Sequence, residues 1–323
     1  MAEPTLKQLK YFLAVAEYRH FGQAATQCAV TQPALSMQIQ ELERIVGAPL
    51  IERTRHGAYL TAAGTRLAER AALVIHQVRD LVDDARQQDR ILLGPLRLGV
   101  IPSIAPYLLP PLLPRLKDTY PDLDLHVRES QTERLLEELT NGRLDALILA
   151  LPVNHEDITT EPLFDDRFLL ARPKVDKAGV KCRAADEALQ SKRLLLLEEG
   201  HCLRDQILSY CSNHAVRRVD TFEAASLTTI VQLVANNFGI TLVPEICAPV
   251  ESRDFGIQLN RFTDPEPFRT VALAWRRSSP RLRDFDAIGM AVKAVGRDIL
   301  ESVRRSVDPA LAVEPGRSTE RVR

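Results

Sequence analysis

Apolar positions in the first part of the chain recur every three or four residues. Leu6, Leu9, Phe12, Leu13 and Ala16 share one face of a helix over 5–17. His20-Phe21-Gly22 interrupts the pattern, and a second short helix fits Gln23 to Cys28. Thr31 can cap a third, with Pro33 in its first turn, where the missing N–H costs nothing. Leu35, Ile39, Leu42 and Val46 form its buried stripe, while Gln32, Ser36, Gln40 and Glu43 lie off it. Leu50 to Thr61 reads as two short strands around a polar turn. From Leu67 the apolar positions are Leu67, Ala71, Val74, Val78, Leu81 and Ala85, a heptad seam suited to a dimer and narrower than a helix lying on its own domain needs.

Gly94-Pro95 ends that helix, and strand and helix patterns alternate beyond it. Strands are predicted at Leu96–Ile101, Leu123–Val127, Asp145–Leu151, Leu194–Leu197 and Ile240–Val243. Helices fit Pro106–Lys117, Thr132–Asn141, Leu203–Tyr210, Leu227–Asn237 and Arg283–Arg304. The alternation predicts a parallel α/β sheet in two lobes, with Thr270–Trp275 and the last helix returning to the first lobe. Such folds take ligands between the lobes, at the carboxyl ends of strands. The expected divisions are a winged helix-turn-helix (1–62), a linker and dimerisation helix (63–92), a regulatory domain (93–305) and a disordered polar tail (306–323). Within the regulatory domain, lobe I covers about 93–164 and 270–305, and lobe II about 165–269.

Composition narrows the class. At 45% apolar and 26% charged, the 323 residues suit a globular protein of two or three domains. No signal core and no apolar run of membrane-spanning length occurs, so a cytoplasmic protein without membrane contact is expected. The net charge is −1. Through residue 66, seven basic residues (7, 10, 19, 44, 53, 55, 66) face five glutamates (3, 17, 41, 43, 52), so phosphate contacts per subunit are few and multiply by oligomerisation. The helix-turn-helix pattern directs the third helix into the major groove of double-stranded promoter DNA. Thr31, Gln32, Pro33, Ser36 and Gln38 are the candidate contacts there, and Arg53 and Arg55 would grip phosphate from the wing. A protein-binding three-helix module is the plainer alternative, disfavoured because cap, proline, polar helix start and basic wing coincide.

Ala24-Ala25, Thr31-Gln32-Pro33-Ala34-Leu35-Ser36, Leu42-Glu43 and Leu50 through Gly64 resemble the DNA-binding domain of LysR-type regulators, over essentially the first sixty-odd residues. Ser226 to Ala235, followed by Gly239-Ile240-Thr241-Leu242-Val243-Pro244, resembles the effector domain of that family. The resemblance implies a periplasmic-binding-protein-like regulatory domain, a homodimer or homotetramer, and RNA polymerase as a partner. No GxGxxG, Walker or GxSxG motif occurs. No enzyme activity and no cofactor are expected, and cysteines without a CxxC pair argue against a metal site.

Five cysteines stand at 28, 182, 202, 211 and 247. Cys202 follows a strand and Gly200 at the start of a helix, flanked by His201 and Arg204; helix N-termini and cationic neighbours favour thiolate over thiol. Alone, a pair nine residues apart reads as two unrelated buried cysteines. The run Leu197-Glu198-Glu199-Gly200-His201-Cys202-Leu203-Arg204-Asp205-Gln206 with Cys211, however, resembles the redox motif of hydrogen-peroxide-sensing LysR-type activators. That resemblance implies that Cys202 attacks peroxide and Cys211 resolves the product to a disulfide. It also implies peroxide contacts at Ser103, Thr132, His201 and Arg276, with Arg277 competing with Arg276. Ser103 stands where threonine is more usual. In one helix Cys202 and Cys211 lie roughly 13 Å apart along the axis, whereas a disulfide needs Cα atoms within about 7 Å; oxidation is then a conformational event. Cys28, Cys182 and Cys247 read as packing residues. The alternative function is a LysR-type regulator that binds a small metabolite between its lobes.

Overall fold

The computed structural model describes residues 3–55, 57–86, 91–174, 193–212, 219–253, 256–262 and 264–307. They form two compact units, one comprising 1–90, 137–145 and 278–281 and the other 91–136, 146–277 and 282 onward.

The first unit opens with α1 (Leu6–Tyr18), α2 (Phe21–Gln27) and α3 (Gln32–Val46). Thr5 caps α1 in a reciprocal capping box with Gln8. The second helix starts earlier than its apolar pattern indicates. The His20 Nδ1 accepts from the Gly22 and Gln23 N–H groups, so an imidazole serves as the N-cap and draws Phe21 and Gly22 into α2. Thr31 caps α3, with Pro33 in its first turn, and Gly47 closes it in the left-handed conformation. Leu35, Ile39 and Leu42 are fully buried against Phe12, Val15, Ala24 and Leu50. The wing is an antiparallel hairpin of β1 (Ile51–Thr54) and β2 (Gly57–Leu60). Glu43 fixes its entry, because its Oε1 accepts from the Leu50 and Ile51 N–H groups.

Thr61 caps the long helix α4 (Ala62–Arg86) through the Gly64 N–H. The seam predicted on α4 divides in use. Ala71 is buried in the helix-turn-helix core and Leu67 packs on it, while Val74 and Leu81 are 40% and 70% exposed.

The second unit carries a mixed sheet. Its strands are β3 (Gly94–Val100), β4 (Leu123–Glu129), β5 (Ala146–Ala150), β6 (Ile158–Pro173), β9 (Thr241–Pro244), β10 (Ile257–Asn260) and β11 (Phe268–Arg276). The order is β10-β6-β11-β5-β3-β4, with β9 also on β6. A parallel pair, β7 (Leu194–Leu197) and β8 (Val219–Ala224), forms a separate small sheet. The helices are α5 (Ala105–Thr119), α6 (Thr132–Thr140), α7 (Cys202–Ser212), α8 (Leu227–Ala235), α9 (Ala248–Glu251) and α10 (Leu282–Val307), with a 3-10 turn at Glu245–Cys247.

Two features depart from the sequence expectation. Among the described strands, β3 with β4, β3 with β5, and β7 with β8 pair in parallel, with a lone parallel bridge from Leu194 to Ile240; β11 runs antiparallel to both β5 and β6. The sixteen-residue β6 was not anticipated, because acidic and basic residues interrupt its apolar pattern. Its first part pairs with β11 and its last with β9 and β10, so one strand runs through both expected lobes. The last helix extends to Val307, beyond the expected domain end at 305, and 308–323 lies outside the described residues.

Gly64 sits against Leu50 so closely that an added Cβ would come 2.1 Å from the Leu50 carbonyl oxygen. Neither backbone can give way without moving the wing. Gly64→Ala is expected to destabilise this unit by about 1–3 kcal/mol, as overpacking does, visible as a lower thermal unfolding midpoint.

Candidate functional site

Cys202 is the first residue of α7, half-buried, after Gly200 in the left-handed region (φ +89°) and the buried His201. A Cβ at position 200 would meet the Gln131 amide at 2.8 Å, and the Gln131 Nε2 lies 3.5 Å from the Glu199 carbonyl. The Cys202 loop is therefore packed on the residue that precedes Thr132. The Thr132 hydroxyl is itself buried and has no hydrogen-bond partner among the described residues. His201 Nε2 faces Glu198 at 3.7 Å, and the Arg204 guanidinium donates to the Leu197 carbonyl at 2.8 Å. One turn after Cys202, Gln206 donates to the Leu151 carbonyl, tying α7 to the end of β5.

Ser103 lies just past the carboxyl end of β3, buried. A guanidinium reaches it from β11. Arg269 Nη1 donates to Ser103 Oγ at 2.7 Å and Nη2 to Ser103 O at 3.0 Å, while Nε donates to Asp166 Oδ2 at 2.9 Å. Arg269 and Asp166 are register partners on β11 and β6, and both side chains are wholly out of water. Asp166 also accepts from the Ile246 N–H. Burial works against the Arg269 charge, but Asp166 and then the Cys247 and Cys202 sulphurs more than offset it and hold the guanidinium above the usual arginine range.

The structure thus brings Arg269 onto Ser103, and separately packs the loop before Cys202 on the residue before Thr132; Cys202 acts on the Arg269 charge. The structure does not bring Arg276 to Ser103. Arg276 is buried at the opposite end of β11, paired with Ile158, seven residues and roughly 23 Å of strand from Arg269. The reason is strand direction. In a parallel sheet, the carboxyl end of β11 would lie beside the carboxyl ends of β3 and β5, where Ser103 sits. Because β11 is antiparallel, its amino end lies there, and that end carries Arg269. The available signal was a lone arginine heading the apolar run Thr270–Trp275.

The five-residue sulphur inventory also sharpens. Cys28, Cys202, Cys211 and Cys247 carry free thiols, and Cys182 lies outside the described residues. Cys247 is fully buried, with its thiol 3.6 Å from the Ser103 carbonyl, so it packs directly behind the site. Cys211 is buried near the end of α7, which is continuous from Cys202 to Ser212. The two sulphurs cannot bond while that helix persists. Among the described residues, no group of three His, Cys, Asp or Glu side chains could hold a metal, and no helix is long and apolar enough to cross a membrane.

On the helix-turn-helix, Gln32 and Pro33 are exposed at the start of α3, Thr31 is committed to capping, and Gln38 is half-buried. Arg53 does not project freely from the wing: it donates to Ser36 Oγ at 2.8 Å and stacks 4.4 Å from the Phe21 ring centroid. Arg55 is exposed at the hairpin tip.

Burial pushes the Cys211 thiol up to about 11 from an ordinary value of 9.0. Deprotonation is therefore disfavoured in the folded helix, and α7 should lose stability as pH rises from about 9 toward 11. Alkylation of Cys211 in a Cys202→Ser variant should stay slow until pH nears 11 in the folded protein, and follow an ordinary thiol in urea. Mass-mapped iodoacetamide labelling checks this.

Residues 6–65 match the model of bacterial regulatory helix-turn-helix proteins of the lysR family, and 91–294 match the LysR substrate binding domain. A probable hydrogen peroxide-inducible genes activator from Streptomyces viridosporus is 44% identical over 299 residues, covering 92% of this chain and 96% of that protein. Among solved structures, a full-length OxyR cysteine variant from Pseudomonas aeruginosa aligns with TM-score 0.77 at 36% identity, covering 91% of this chain and 96% of that one. A hydrogen-peroxide-bound cysteine-to-serine OxyR variant from Corynebacterium glutamicum aligns with TM-score 0.64 at 33% identity, covering 94% and 96%. Sequence and fold agree, and the chain belongs to the LysR family of bacterial transcription regulators, similar within it to the OxyR proteins.

Proposed function

We propose that this regulator binds promoter DNA and switches transcription in response to hydrogen peroxide, through oxidation of Cys202 and a Cys202–Cys211 disulfide. The observation that carries the reading is the buried Arg269, anchored on Ser103 and Asp166, with Cys202 among the groups that act on its charge and standing at the head of α7. The identity with a peroxide-inducible activator supports it.

The Cys202 thiolate attacks one peroxide oxygen. A sulphur–oxygen bond forms, the oxygen–oxygen bond breaks, and the departing hydroxide takes a proton to become water. Ser103 Oγ accepts from Arg269 and so keeps its own proton to donate to a peroxide oxygen; the unpartnered Thr132 hydroxyl is a second donor. Arg269 stabilises negative charge developing on the leaving oxygen. Cys211 then attacks the Cys202 sulphur, the S–S bond forms and a second water leaves. Peroxide has gained two electrons and the thiol pair has lost them. That last step requires α7 to unwind, which converts oxidation into a shape change.

The exposed Val74 and Leu81 on α4 support dimerisation through that helix, giving two recognition helices for two half-sites; a tetramer and contact with RNA polymerase follow from the family resemblance.

Cys202→Ser should keep DNA binding and lose the peroxide response. Arg269→Lys keeps the charge but loses the fork, and should slow Cys202 oxidation at least about tenfold, while Arg276→Lys leaves it near the native rate. Stopped-flow thiol consumption with peptide mapping reads both. Peroxide switching that persists in Cys202→Ser would defeat the proposal and return the small-metabolite reading.

A further inference from the structure

Along α3 the apolar stripe Leu35, Ile39 and Leu42 faces the core of the helix-turn-helix. At 3.6 residues per turn, Ser36 lies roughly 100° from Leu35 and Gln38 roughly 60° on the other side. Both therefore flank the core, which is why both are half-buried and why Arg53 can reach Ser36. The residue between them behaves differently. Met37 lies roughly 200° from Leu35, opposite the core, and is 64% exposed. It is the most exposed large apolar side chain among the described residues of 3–60. Pro33, Gln40 and Arg44 share its face, and the Arg44 fork is occupied by Glu41 at 2.6 and 2.9 Å. The centre of the outward face in the amino-terminal half of α3 is therefore an apolar side chain flanked by proline and glutamine. The charge nearest to it on that face, Arg44, is paired with Glu41 at the surface.

An unbranched thioether at that place can do one thing in a major groove that its polar neighbours cannot. Thymine presents a C5-methyl group there, and apolar contact is how a side chain distinguishes it. Met has three rotatable side-chain bonds and a polarizable sulphur, so it can follow the groove floor without a fixed geometry. Exposed to water in the free protein, it gains by burial against that methyl. We infer that Met37 is a base-reading residue, contacting a thymine methyl in each half-site of the DNA. This rests on α3 entering the major groove. It assigns specificity to a position that a search for polar contacts passes over.

The test uses the full-length protein and duplexes selected by it from a random pool. Each thymine of the selected half-site is replaced singly by uracil, which keeps every hydrogen-bonding group and removes only the methyl. At one position per half-site the native protein should lose affinity about fourfold, the value of one buried methyl, and Met37→Ala should bind thymine and uracil duplexes alike. Met37→Leu, which keeps an apolar side chain, should retain part of the discrimination. Far-ultraviolet circular dichroism should match among all three, because the residue is outside the core. Uracil substitutions without effect on the native protein, or equal sensitivity in Met37→Ala, would overturn the assignment. Selection of no duplex at all would overturn the groove reading of α3 beneath it, and the assignment with it.

Discussion

A guanidinium held wholly out of water organises the sensor half of this protein. Arg269 is pinned by Asp166 on β6 and gives its remaining donors to Ser103. Asp166 in turn holds the Ile246 N–H at the 3-10 turn that carries Cys247. One ion pair thus joins β11, β6, the turn after β3 and the segment before α9. Buried pairs of this kind add little net stability over an apolar replacement, but removing one partner strands the other and costs about 3–5 kcal/mol. In the proposed mechanism the arrangement keeps a positive charge fixed in a low-dielectric place, where it acts strongly.

The second constraint is the length of α7. Its head carries Cys202 and its tail Cys211, the latter buried and raised to about 11. The reducing, protonated state and the intact helix reinforce each other, since burial suppresses the Cys211 thiolate and the helix separates the sulphurs. In the proposed switch, forming the Cys202–Cys211 bond after oxidation of Cys202 has to take the helix apart. Local chemistry and local folding are coupled by geometry alone, as a bistable switch element requires.

Much of this was legible in the sequence, and the exceptions have physical causes. The three helices, the wing and many of the elements after Gly94 follow from apolar periodicity and caps, whereas β6, β8 and β10 do not. The His20 cap did not, because imidazole is an unusual acceptor at that position. Cys202, Cys211, Ser103, Thr132 and His201 were singled out by motif and position, and they belong to the proposed site. Arg269 could not be, because matching Trp275-Arg276-Arg277 by position offers only Arg276 and Arg277, and says nothing of which end of β11 lies beside Ser103. Met37 falls outside the buried stripe of α3 in the sequence as well, but a search for polar contacts passes over it, and its exposure is visible only in the structure.

The central claim is that oxidation cannot occur as a disulfide without unwinding α7. Hydrogen exchange read by mass spectrometry on peptides spanning 202–212, before and after peroxide, tests it most directly. The account predicts that these amides are protected in the reduced protein, lose protection on formation of the Cys202–Cys211 link, and keep it when Cys211→Ser is treated in the same way. A mapped Cys202–Cys211 disulfide with undiminished protection across the segment would contradict it.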